Sequence, residues 1–311
     1  MDRRFGYAMA RFGRVLTAMV TPFDEDGSLN LDKARTLAKW LQDHGNEGLV
    51  VAGTTGESPV LTDDERLGLF AAVREAVTIP VVAGTTTNDT AHSVYLTKEA
   101  TNLGVDGILA VCPYYNRPSQ AGILGHLEAV AASTDLPIIV YDIPVRTGRK
   151  ITTANLLKLA HEVPNVVALK DAAANPGETA VVIANAPDGY EVYSGDDIMT
   201  LPLLAAGAVG AIGVATHWTA EDHQLMFDLW EKGDIAGARL VNARMIESFQ
   251  YETGDDAPNP LPSKVMMNLL GVPVGEARLP MGPPPAWLES RAREVHANLE
   301  SWRAAWPNRP A

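Results

Sequence analysis

Cysteine occurs once, at Cys112, which excludes an internal disulfide and any zinc site built on several thiolates, and fits a reducing compartment. No stretch offers about 18 consecutive apolar residues, the minimum for a membrane-spanning helix. Positive charge is scarce: 25 Lys and Arg stand against 38 Asp and Glu, a formal net charge of −13. Nucleic acid and anionic membranes both select clustered Lys and Arg, so neither is expected as a partner. The seven histidines show no H-x-x-H or H-E-x-x-H spacing, and no metal centre is expected. G-x-G-x-x-G and Walker loops are missing as well, which removes the usual signals of a bound dinucleotide or nucleotide. No cofactor is expected.

What is present is a folding chain, 46% apolar and 20% charged over 311 residues, far from the composition of disordered proteins. Eight short β-rich runs recur: Arg14–Val20, Gly48–Gly53, Pro80–Gly84, Gly107–Val111, Pro137–Asp142, Val166–Lys170, Glu191–Gly195 and Gly210–Val214. They are apolar at consecutive positions, the habit of parallel strands covered on both faces. The segments between them have helical period and helical ends. Thr62 with Glu65 forms a capping box ahead of Leu67, Phe70, Val73 and Val77; Leu37, Trp40 and Leu41 share a face that Gly45 closes.

Eight strand-helix units in about 200 residues predict an α/β fold, a (β/α)8 TIM barrel over residues 13–220. A doubly wound open sheet is the alternative, and it lacks its phosphate-binding loop. Residues 221–311 carry helical pattern broken by "APNPLPSK" and "PMGPPP", and are expected as a C-terminal helical region packed on the barrel. Residues 1–12 are basic but have no apolar core or cleavage signal, so they read as a loose leader of a cytoplasmic protein.

In such barrels chemistry gathers at the C-terminal ends of the strands. The sixth run ends on Lys170, a charge where a buried strand should have none. A dry barrel mouth disfavours the ammonium, and a neutral amine there can attack a ketone to form a Schiff base. The competing reading is a lysine that reaches solvent or pairs with Asp171. Tyr141 ends the neighbouring run and can carry a proton, or simply pack with a wet tip. The "GTTGES" loop offers backbone N–H groups and the hydroxyls of Thr54 and Thr55 to a small anion. Arg146 is a fork for a carboxylate, or one half of a surface ion pair. In "SGDD", Asp196 and Asp197 are expected to cap the following helix, and His217 to border the mouth without a role. Cys112, inside "GILAVCPYY", is expected as a small buried hydrophobe. Gly-Thr turns at "GTTGE" and "AGTTTN" leave a phosphate-binding barrel open, and a catalytically dead scaffold is a further alternative.

"TAMVTPF", "GTTGES", "PYYNRPSQAG", "YDIPVRTG", "ALKDA" and "YSGDD", in this order, resemble the pyruvate-dependent class I aldolase superfamily and, within it, the dihydrodipicolinate synthase family. The resemblance runs from about Gly13 to Pro285. It implies a homotetramer, a dimer of dimers, acting on pyruvate and L-aspartate 4-semialdehyde. By the resemblance Lys170 forms the Schiff base, Tyr141 relays protons, and Thr54 and Tyr115 complete the relay, Tyr115 coming from across a dimer interface. Thr55 would hold the pyruvate carboxylate, with Gly195 and Ile212 lining that pocket, and Arg146 would receive the carboxylate of the semialdehyde. Sialic acid lyases and 2-keto-3-deoxy sugar-acid aldolases share the lysine, the tyrosine and the loop, and are the alternative activities. One stretch departs from the pattern: lysine-inhibited members carry an acidic residue where "TTTNDTAHSVY" has His92, so weak or no inhibition by lysine is expected.

Overall fold

Eight short parallel strands close on themselves: β1 (Val15–Ala18), β2 (Gly48–Val51), β3 (Val81–Gly84), β4 (Gly107–Val111), β5 (Ile138–Asp142), β6 (Val166–Asp171), β7 (Glu191–Ser194) and β8 (Gly210–Gly213). The computed structural model describes residues 10–306; of the expected leader, residues 1–9 lie outside the described residues. β1 pairs with both β2 and β8, so no edge is left, and the predicted barrel is the observed one. Each strand falls within the run that predicted it, β6 running one residue further to Asp171; β1, for example, ends at Ala18, although the Met19 N–H still donates to Val50 O at 2.9 Å.

The consecutive apolar positions are explained by two cores. Leu16, Val50, Val82, Leu109, Ile139 and Ile212 fill the barrel interior, while Leu49, Val51, Val81, Val140 and Leu169 face outward under the helices. Side chains alternate along a strand, so Ala168 and Lys170 of β6 point inward and Leu169 and Asp171 outward.

The helices are α1 (Leu31–Asp43), α2 (Asp63–Ala76), α3 (Thr90–Asn102), α4 (Gln120–Ala131), α5 (Pro144–Thr147), α6 (Thr153–Glu162), α7 (Pro176–Asn185), α8 (Thr200–Ala206) and α9 (Thr216–Glu231). After these come α10 (Ile235–Tyr251), α11 (Leu261–Leu269) and α12 (Leu288–Ala305). The capping box of α2 is present in both directions, Thr62 Oγ1 accepting from Glu65 N and the Glu65 carboxylate from Thr62 N. Its buried face differs from the expected one: Leu69 joins Phe70 and Val73, and Leu67 sits half-buried at the edge. α9 runs through residues 220 and 221 and packs with α10, α11 and α12 against Val15 and Ala211 on the outside of the barrel. The chain between α10 and α11 then returns to the barrel mouth, where Asn259 meets the loop after β2. No described helix is long and apolar enough to cross a membrane.

Candidate active site

Lys170 lies at the inward-facing end of β6 and is 4% exposed. The register pairs it with Tyr141 of β5 on one side and Tyr193 of β7 on the other. Its Nζ stands 4.3 Å from the centroid of the Tyr141 ring. Among the described residues it has neither a hydrogen-bond acceptor nor an ion pair. The reading in which it pairs with Asp171 is overturned, for a geometric reason: Asp171 has the opposite parity, and its carboxylate accepts from Ala173 N at 2.9 Å and Thr179 Oγ1 at 2.6 Å outside the barrel. Burial lowers the Lys170 amine to about 8; Asp197 and Glu252 oppose that fall and Arg146 adds to it.

Tyr141, also 4% exposed, has its phenol held above the ordinary range by burial, while Arg146 and a hydrogen bond with the Thr54 side chain pull the other way. A neutral phenol in contact with a hydroxyl can give and take a proton without leaving a charge behind. Thr54 and Thr55 sit in a tight turn closed by Glu57 N–H donating to Thr54 O at 3.0 Å. Thr55 is 2% exposed, and its Oγ1 accepts from Asn259 Nδ2 at 2.9 Å, which leaves its own proton free to donate to a substrate.

Thr54, Tyr115, Tyr141 and Arg146 line one cavity of about 300 Å³ at the mouth. Lys170, Thr55, Gly195 and Ile212 do not line it. A larger cavity, about 440 Å³, lies between α11 and the segment before α12 and touches none of the predicted residues. Arg146, on the single turn of α5, is exposed and makes no ion pair among the described residues, so the surface-pair reading does not apply. Tyr115 is 89% exposed with φ at +70°, a large aromatic left mostly to solvent at the rim of that cavity on strained backbone. Ile212 of β8 is fully buried in the interior core. Gly195 leaves room for the lysine: a Cβ there would stand 2.8 Å from Lys170 Cγ and 3.0 Å from Cε.

Two expectations need correction. Asp196 and Asp197 make no side-chain cap on their own turn; Asp197 Oδ2 instead accepts from Val214 N at 2.7 Å and Ala215 N at 3.3 Å, tying β7 to the start of α9. His217 does not border the cavity. Its Nε2 accepts from Val20 N at 3.2 Å, its Nδ1 donates to Val214 O at 2.7 Å, and burial lowers it to about 4, a neutral structural imidazole. Cys112 is buried, its thiol pushed up to about 12 by burial.

Sequence reasoning missed the residues that support the site. Glu57, at φ +56°, ion-pairs with Lys264 at 2.7 Å, and its other oxygen accepts from Arg278 N at 2.9 Å. Lys264 and Asn259 both come from the "PNPLPSK" stretch, whose polar residues among prolines were the only available signal. Asp197, from the turn after β7, and Glu252, from the end of α10, act on Lys170 electrostatically; Asp197 was read only as a helix cap, and nothing in the local sequence marks Glu252.

The sequence profile of the Dihydrodipicolinate synthetase family matches residues 11–301. The 4-hydroxy-tetrahydrodipicolinate synthase of Moorella thermoacetica is 48% identical over 275 residues, covering 87% of this chain and 92% of that protein. The enzyme of the same name from Bacillus subtilis is 42% identical over 278 residues, covering 88% and 94%. Among solved structures, the dihydrodipicolinate synthase of Cyanidioschyzon merolae with lysine bound superposes with a TM-score of 0.91 at 39% identity, covering 94% of this chain and 99% of that one.

Proposed function

The chain belongs to the dihydrodipicolinate synthetase family, and from that premise we propose that it condenses pyruvate with L-aspartate 4-semialdehyde to 4-hydroxy-tetrahydrodipicolinate, a step of diaminopimelate and lysine biosynthesis, with Lys170 carrying the pyruvate. One observation carries the assignment of the lysine. Its amine is buried against Tyr141 without a paired acid and titrates at about 8. Roughly one such amine in ten is uncharged at pH 7, against roughly one in two or three thousand for an ordinary lysine.

The neutral amine adds to the ketone carbon of pyruvate, and loss of water leaves an iminium. Its positive nitrogen draws electrons from the adjacent methyl, which gives up a proton to Tyr141 Oη as the phenol passes its own proton to Thr54, and becomes an enamine. The enamine carbon bonds to the aldehyde carbon, whose oxygen takes a proton from Tyr141. The amine of the semialdehyde then attacks the iminium carbon, closing the ring and releasing Lys170. Tyr141 is suited to both proton steps because its phenol stays protonated until Thr54 and a further hydroxyl pass a proton along. Tyr115 of a second copy supplies that hydroxyl, which accounts for its exposure and strained backbone in one chain. Thr55 donates to the pyruvate carboxylate beside Gly195 and Ile212, and Arg146 forks onto the carboxylate of the semialdehyde. The assembly is a homotetramer built from two such dimers, acting on water-soluble metabolites in the cytoplasm.

The test is borohydride reduction with pyruvate, followed by mass mapping, together with turnover of L-aspartate semialdehyde against N-acetylneuraminate. A reduced adduct on the Lys170 peptide and condensation with the semialdehyde are expected. No adduct at Lys170 overturns the assignment of the lysine; an adduct with cleavage of N-acetylneuraminate alone moves the chain to the sugar-acid aldolases.

A further inference from the structure

Behind Lys170 lies a second set of titratable groups that the condensation does not use. Asp197 is 1% exposed and Glu252, at the C-terminal end of α10, is 6% exposed. The two carboxyl groups hydrogen-bond each other, and the Ala215 N–H reaches both. Asp197 Oδ2 is satisfied by backbone donors, but Asp197 Oδ1 and Glu252 Oε2 are buried with no donor from protein. His223 of α9 faces them across a gap: its Nδ1 already lies against Thr219 O at 3.0 Å, and its Nε2 stands 3.7 Å from Asp197 Oδ1 without a hydrogen bond.

Two carboxylates are acceptors only, so a hydrogen bond between them needs a proton that one of them carries. Two buried charges at contact distance also repel, and a site of this kind settles with one proton between its members. Full protonation is opposed by the backbone donors on Asp197 and by the nearby cation. We propose that Asp197 and Glu252 share a single proton and together present one buried negative charge to Lys170, a counter-charge that is in place before the iminium forms there.

The groups facing the pair fit that role. The charge of the pair acts on Lys170 of β6, Asp196 adds its own charge from the preceding residue, and the two imidazoles of α9, His217 and His223, face Asp197. Arg146 contributes positive charge to Lys170 from the mouth. Burial, first, and the charge of Asp197 hold the Glu252 carboxyl well above the usual range. Both are positioning residues: they touch Lys170 through charge and need not touch substrate. Gly213 is part of the arrangement, because a Cβ there would stand 2.4 Å from Asp197 Oδ1.

The inference rests on Lys170 as the Schiff-base residue, and the experiment separates the two. Infrared spectra of the full-length protein at neutral pH are compared with those of Glu252→Gln. The carbonyl band of a protonated carboxylic acid is expected in the wild type and is lost in the variant; a spectrum without that band, or a band that survives in Glu252→Gln, overturns the proposal whatever Lys170 does. The second measurement is the pH at which borohydride trapping of pyruvate is half-maximal. Asp197→Asn removes the counter-charge, so its midpoint moves about one unit to lower pH, a tenfold change in proton concentration. Glu252→Gln, whose amide still donates to Asp197, moves it by less than about a third of that. Equal midpoints in wild type and Asp197→Asn overturn the counter-charge. Failure of the wild type to trap pyruvate at any pH overturns the Schiff-base reading and leaves the infrared result standing.

Discussion

The protein buries two lysines, and they differ in one respect that matters. Lys170 and Lys264 are 4% and 2% exposed, each amine lies over an aromatic ring at 4.3 and 4.2 Å, and burial lowers each to about 8. Lys264, however, pairs with Glu57 at 2.7 Å and donates to Glu276 O at 2.9 Å, whereas Lys170 has no direct partner among the described residues. Desolvation alone therefore does not make a nucleophile. A buried amine held by a carboxylate and a carbonyl is a strut; one left without an acceptor beside Tyr141, with its counter-charge held a step away, is available for chemistry. The strut serves the nucleophile, since Glu57 closes the turn that carries Thr54 and Thr55.

Matched substitutions should split the two. Lys170→Met removes the nucleophile, and turnover should fall at least about 10⁴-fold, as for other covalent catalysts stripped of their reacting group. Its cost in stability should stay below about 1.5 kcal/mol, because a thioether of similar shape replaces an amine that the fold holds at a penalty. The sign of that penalty can be checked with pH. The folded amine titrates at about 8 against an ordinary 10.5, so between those values the unfolded chain holds the extra proton and stability rises with pH. The penalty is full below pH 8, fades towards 10.5, and should vanish from the profile of Lys170→Met.

Lys264→Met should behave in the opposite way. It leaves Glu57 buried beside Arg278 with its main partner gone, and a loss of about 3 kcal/mol is expected, read as a lower urea midpoint at unchanged slope. Trapping of pyruvate should survive in whatever fraction folds. If both variants lose stability equally, the distinction between strut and nucleophile fails.

The same contrast separates what could be read in the sequence from what could not. The eight strands were legible because burial on both faces writes apolar residues at consecutive positions, and Lys170 because it interrupts that pattern. Tyr141, Thr54 and Arg146 were legible as strand-end residues. The supporting contacts were not, for they join distant segments: Asn259 and Thr55 are 204 positions apart. Nothing local marks such a pair. The aspartates of "SGDD" were misread for the same reason. A pair of acids before a helical stretch suggests a cap, while Asp197 in fact reaches forward to the backbone after β8.

Gly195 gives a third way to disturb Lys170, smaller than deleting it. In Gly195→Ala the new methyl overlaps the lysine stem at Cγ and Cε, both within 3.0 Å, and the side chain must swing away from Tyr141. A displacement of this size costs about 100-fold in rate. Both trapping and turnover should fall together, because the amine is misplaced for each. A variant with normal trapping would mean that the mouth has room the structure does not display.

The smallest effect concerns a third ammonium, that of free L-lysine. By the family resemblance read in the sequence, an acid is expected in lysine-inhibited members where this chain has His92, and the contrast of Lys170 with Lys264 suggests the consequence: an ammonium settles where an unengaged carboxylate awaits it. Here His92 Nε2 already lies 2.9 Å from Asp63 Oδ1, and Asp89 Oδ1 already accepts from His92 N at 2.9 Å, so both of these carboxylates are engaged; His92 and Asp63 are also more than a third exposed, where a charge pair is worth about 1 kcal/mol or less. Turnover should be unchanged by submillimolar L-lysine. In His92→Glu the restored acid faces Asp63, so any gain in sensitivity should be partial and should grow when Asp63 is also changed to Asn. Strong inhibition of the wild type would show that another group receives the ammonium.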